Sequence, residues 1–221
     1  MTVTKTFSLT YTNDARASSD RSGAVSAISS AMSAWTSGAS SYKVKTEQPG
    51  CDAQELRIQF RSTIVTSGAD VAVSVDGTNP ANRPSVVTGG TQMRYMVHGT
   101  SGAWAMIHEM GHTFGLPDEY TQLTGVPITP PPPTPGAPVV IPPSATPSAT
   151  YVAAPPQANS TVTLTASRPS TRHPGKYIFD VESVMGRSGN TTFELHHYFW
   201  IAIEVKRLME EEGTPAVVTI I

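Results

Sequence analysis

A single cysteine, Cys51, is all that this 221-residue chain carries. One thiol cannot close an internal disulfide, so a disulfide-stapled scaffold is excluded. Charge is scarce too: 14% of the residues are Asp, Glu, Lys or Arg, where an average domain has about a quarter. The polar surface therefore falls to Ser, Thr, Gly and Asn. With 15 basic against 17 acidic residues the formal net charge is −2. That lacks the basic excess that nucleic acid or an anionic membrane calls for. No apolar run reaches the roughly 18 to 20 residues that cross a bilayer. The opening stretch, Met1 to Asp14, has no basic segment followed by an apolar one, so no secretory leader is visible. This leaves a cytoplasmic protein, one exported by a route that reads no such signal, or a secreted one if the chain is a mature fragment.

What is present is 38% hydrophobic residues, enough for one core, and 1–221 reads as a single domain. Val3, Phe7, Leu9 and Tyr11 share one face of a strand over Thr2 to Thr12. Ala24, Val25, Ile28, Ala31, Met32 and Trp35 recur at three and four, which predicts an amphipathic helix capped at Asp20 and stopped at Gly38. Further strands are predicted at Ser41 to Thr46, Glu55 to Arg61, Ala69 to Val75 and Gln92 to His98, then a helix from Ser101 to Phe114. A last helix spans Thr192 to Glu211, and Val217 to Ile221 adds a short strand. Twelve of the 19 prolines fall between Pro127 and Pro156, so about 126–160 reads as an inserted, partly polyproline loop. Tyr151 and Val162 to Thr165 suggest an irregular strand or a hairpin at its far end. The expected fold class is α+β, with one mixed twisted sheet and about three helices.

Chemistry concentrates in Trp104 to Tyr120, WAMIHEMGHTFGLPDEY. His108 and His112 stand four apart on a predicted helix, one turn apart on one face. Two imidazoles so placed can both reach one metal ion, and Glu109 between them is set to act as a general base. Zinc in such a site lowers the pKa of a bound water to about 7 and polarises a carbonyl. Glu109 would take the water's proton and pass it to the leaving amine. A catalytic zinc has a third protein ligand. Gly115 can end the helix in a left-handed turn and Pro117 prevents its resumption, which brings round Asp118, with the adjacent Glu119 as the alternative.

The segment HEMGHTFGLPDEY resembles the zinc-binding segment of the metzincin metallopeptidases, and most closely the snapalysin-like branch, whose motif reads HExxHxxGxxD. Its Asp-Glu-Tyr ending is similar to that of bacterial immunoglobulin-A-cleaving metallopeptidases. The resemblance implies a metzincin-like fold with a zinc helix, one catalytic zinc ion held by His108, His112 and Asp118, and Glu109 as catalytic base. It also implies that Met185, in Ser183-Val184-Met185-Gly186, forms a Met-turn beneath the metal, and that Gln92 to His98 is the edge strand that pairs with extended substrate. The implied activity is hydrolysis of peptide bonds in a protein or peptide substrate.

His196, His197 and Tyr198 stand where some families place a transition-state hydrogen-bond donor, with His197 and Tyr198 preferred; Tyr120 is a further candidate. His98, His173 and His196 read as structural or surface histidines, Trp104 and Phe114 as core residues, and Cys51 as a lone thiol. Two other functions fit the sequence. One is an effector or toxin hydrolase acting on cell-wall peptide or on one host protein. The other is a non-catalytic binding module that keeps a structural zinc and binds a partner through its proline-rich loop.

Overall fold

The computed structural model of the protein describes residues 1–12, 18–77, 86–97, 102–116, 118, 122–123, 139–141, 148–152, 161–169, 176–179, 182–186 and 189–221. In chain order the elements are β1 (Thr2–Thr12), α1 (Ser18–Gly38), β2 (Lys43–Glu47), β3 (Gln54–Arg57), β4 (Gln59–Ile64), β5 (Val71–Asp76), β6 (Val86–Thr88), β7 (Gln92–Met96), α2 (Gly102–Thr113), β8 (Gln122–Leu123), β9 (Val139–Ile141), β10 (Ser148–Val152), β11 (Thr161–Pro169), β12 (Lys176–Phe179), α3 (Phe199–Glu211) and β13 (Val217–Ile220). Short 3-10 turns occupy Ala39–Ser41 and Leu195–Tyr198. The fold is α+β with three α-helices among the described residues. Two compact units share the chain: Met1–Gly38, Gln59–Gly115 and Ser188–Thr191 in the first, Ala39–Ile58, Leu116–Arg187 and Thr192–Ile221 in the second.

The first unit is built on a mixed five-stranded sheet in the order β4-β1-β5-β7-β6. β1 pairs in parallel with β4 and β5, β5 pairs in parallel with β7, and β6 is antiparallel to β7. Alternation explains β5: Val71, Val73 and Val75 are buried while Ala72 is exposed. α1 buries the stripe Ala24, Ile28, Ala31, Met32 and Trp35, as the three-and-four spacing predicts. The helix starts at Ser18, so Asp20 lies in its first turn and is not its cap. α1 packs on β4 and α2, where Trp35, Phe60 and Phe114 form an aromatic cluster with centroids 5.1 to 6.0 Å apart. Burying one such side chain contributes about 1.5–3 kcal/mol. The Phe60 N–H also donates to Thr36 Oγ1 at 2.8 Å, tying helix to strand.

The second unit holds two sheets. β13-β2-β3 is antiparallel, with Val44, Val218 and Ile220 buried, and α3 packs on β13. β8-β12-β11-β10-β9 is antiparallel throughout. The single sheet expected from the sequence is thus three sheets among the described residues, one of them mixed. The strand expected over Glu55 to Arg61 breaks at Ile58: β3 joins the second unit's sheet and β4 the first unit's. Period-two alternation runs unbroken across that point, with Leu56 half-buried and Ile58 and Phe60 buried between exposed neighbours, so it cannot reveal a change of sheet.

Within 126–160, Val139–Ile141 and Ser148–Val152 are strands, and Tyr151 pairs with Val162 in an antiparallel ladder, the hairpin of the two alternatives. Neither strand contains a proline; Pro138, Pro142 and Pro147 flank them. Proline lacks the N–H that a ladder needs, so the proline-free stretches are the ones free to pair. The last helix begins at Phe199 and not at Thr192, because Leu195–Tyr198 forms a 3-10 turn first.

Candidate metal centre

α2 positions the centre. Its carbonyl at Ile107, immediately before the first histidine, accepts the Trp35 indole N–H at 2.9 Å. Met106, Met110 and Phe114 are buried and fix the helix's rotation. His108 and His112 therefore emerge together on another face, with rings 4.8 Å apart and nearly perpendicular. Ligand atoms of His108, Glu109 and His112 all lie within 4.8 Å of one another. Two imidazole nitrogens beside a carboxylate are a donor set that suits zinc, and the spacing lets both rings address one ion. His108 is 3% exposed, so an ion there would be partly shielded from water.

Three neighbours orient these groups. The Trp104 ring lies 4.7 Å from the His108 ring, tilted by 31°. Trp104 is thus a wall of the centre and only half-buried, a correction to its expected place in the core; Phe114 is in the core as expected. The Val87 backbone N–H donates to Glu109 Oε2 at 2.7 Å. Gly90, in the turn between β6 and β7, has φ +74°, and a Cβ there would stand 3.3 Å from the His112 carbonyl oxygen. The β6–β7 hairpin therefore touches α2 beside both Glu109 and His112. The sequence reading missed this. Val86-Val87-Thr88 followed by Gly89-Gly90 was the available signal, a β-branched run ending in a hairpin turn.

The helix ends as the sequence predicts. Gly115 has φ +86°, and its N–H donates to the His112 carbonyl at 3.0 Å. Only glycine takes this left-handed conformation without strain. The strand expected at the edge proves to be interior: Gln92–Met96 pairs with β5 on one side and β6 on the other. Among the described residues β6 is the edge next to it, since the chain doubles back before α2.

Of the other named residues, those that the structure describes lie in the second unit. Asp118 is half-buried; Glu119, Tyr120, His98 and His173 lie outside the described residues. Ser183 to Gly186 forms a tight turn, closed by the Gly186 N–H on the Ser183 carbonyl at 2.9 Å, with Met185 fully buried. His197 is fully buried and caps the 3-10 turn: its Nδ1 accepts the Glu194 N–H at 3.0 Å, which leaves Nε2 as the protonated nitrogen. Tyr198 is fully buried with its ring 5.2 Å from Tyr42. Burial, with Tyr42 beside it, pushes its phenol well above the ordinary range, so it stays a neutral O–H. His196 is buried against His197. Cys51 is an exposed free thiol.

No helix among the described residues is long and apolar enough to cross a membrane. No protein-family model matches the chain and no curated protein matches it, so the reading of the centre rests on its own residues.

Proposed function

We propose that the protein is a zinc-dependent metalloendopeptidase of metzincin type, with 1–221 working as one peptidase domain. The observation that carries this reading is the His108, Glu109 and His112 cluster on one turn of α2. His108 and His112 hold the metal, and Asp118, following the Gly115 turn, supplies the third ligand. When bound, zinc polarises the scissile carbonyl and the attacking water. Glu109 takes a proton from that water through its carboxylate and delivers it to the departing amine nitrogen. Met185 is the apolar floor of a Met-turn, and Tyr198 or His197 is the donor to the developing oxyanion. The substrate is an unfolded protein or peptide. The intact Glu109 favours an enzyme over a binding module, since a structural zinc needs no such carboxylate.

The test is hydrolysis of unfolded casein by the purified full chain with one equivalent of zinc. The wild type should cleave; Glu109→Ala should bind the same amount of zinc and lose activity by at least about a hundredfold; a chelator should abolish cleavage. A zinc-loaded wild type inert towards casein and cell-wall peptide alike would overturn the peptidase reading in favour of the binding module.

A further inference from the structure

The general base proposed above is already held by a backbone group from a distant part of the chain. Glu109 Oε2 accepts the Val87 N–H at 2.7 Å, across 22 residues of sequence. An N–H to a carboxylate is a charge-assisted bond, roughly twice as strong as a neutral one. Among the described residues β6 pairs with β7 alone, and this N–H serves Glu109 and not the β6–β7 ladder. The hairpin itself is seated on the same helix by Gly90, whose missing side chain allows its close approach to the His112 carbonyl. A carboxylate on a helix has several rotamers, and one fixed donor on one oxygen selects among them.

We propose that the Val87 backbone amide is a positioning group for catalysis: through Oε2 it holds the Glu109 carboxylate in one orientation beside His108 and His112. This role rests on the peptidase reading. It assigns the short edge strand β6 a duty that no side chain on it performs, which is why the duty leaves no signature in residue type. Loss of a partner that orients a group at a metal centre costs about ten- to a hundredfold in activity.

Proline is tolerated on an edge strand where its missing N–H faces away from the ladder, so Val87→Pro deletes this donor. It should lower kcat on casein by about ten- to a hundredfold, with KM and zinc affinity within about twofold, as expected for a group acting only on the base. Val87→Ala keeps the amide and should recover most of the lost kcat. A readout independent of activity is hydrogen exchange of the Val87 amide in the metal-free protein, slow in the wild type and accelerated in Glu109→Ala. This readout also covers the case in which Val87→Pro fails to fold. An amide that exchanges equally fast in both proteins overturns the proposal, as does a folded Val87→Pro enzyme with wild-type kcat. If the zinc-loaded wild type cleaves nothing, the peptidase reading fails and this role fails with it. If the wild type cleaves and Val87→Pro cleaves equally, only this role fails.

Discussion

Asp70 shows how much one side chain arranges in this fold. One oxygen, Oδ2, accepts the Thr6 N–H at 2.7 Å and the Thr6 hydroxyl at 2.9 Å, while the Asp70 N–H donates back to the Thr6 hydroxyl at 2.9 Å. The bonds lie where β5 begins its pairing with β1 at Phe7 and Val71, so they set the register of two parallel strands. The Thr6 backbone N–H, chiefly, holds the Asp70 carboxyl below its ordinary range. A depressed carboxylate stabilises the folded state above the unfolded pKa, and this is lost as pH falls through the folded value. Asp70→Asn should therefore destabilise by about 0.5–1 kcal/mol at neutral pH, below the usual range for charged bonds because the site is exposed. The gap should narrow as pH falls below about 4 and close once the wild-type carboxyl is protonated. Urea unfolding of both proteins from pH 7 down to pH 2 is the measurement; a gap independent of pH would assign the effect to shape and not to charge.

At the scale of elements, the hairpin β6–β7 and the helix α2 work as a pair. Gly90 is the contact that permits this, since its positive φ strains any other residue and a would-be Cβ would stand a tight 3.3 Å from the His112 carbonyl. Gly90→Ala should cost about 1–2 kcal/mol from the left-handed conformation alone, with a further loss as the hairpin lifts from the helix. Zinc affinity should fall with it, because the displaced carbonyl belongs to His112, a proposed zinc ligand. Thermal unfolding with and without zinc checks both; an unchanged midpoint would mean that the turn relaxes freely. Element positions themselves were largely legible. The stripe from Ala24 to Trp35 marked α1, Val71, Val73 and Val75 marked β5, and the HExxH spacing with Gly115 marked α2 and its end. The 3-10 turn at Leu195–Tyr198 was not legible, because Phe193, His197 and Ile201 at four-residue spacing continue a helical pattern through it. His197 is spent instead on capping Glu194, a local competition with the helix that periodicity does not register.

For the whole molecule the strongest prediction is linkage between metal and folding. The helix that presents His108 and His112 is packed through Trp35, Phe60 and Phe114, so an ion held as proposed favours the folded chain over the unfolded one. Free zinc at a thousandfold over its Kd should then stabilise the protein by about 4 kcal/mol. For a chain of this length the melting midpoint rises on the order of 10 °C. Chelation should remove the increment, and His108→Ala should melt at one temperature with or without zinc. A wild-type midpoint indifferent to zinc would rule out binding at this centre.

Taken alone, the sequence determined which residues could do chemistry and which local shapes they would take. His108, Glu109 and His112 share a turn because the helical repeat is 3.6 residues, and Gly115 ends that turn because no other residue takes its φ freely. Proline-free stretches at Val139–Ile141 and Ser148–Val152 kept the N–H groups that a ladder requires. Only the tertiary structure decided which strand joined which sheet, as the break at Ile58 shows, and which donor reached Glu109. The reason is that period and propensity describe a residue's relation to its own few neighbours. A strand's partner, and an amide 22 residues away, are chosen by the packing of the whole chain.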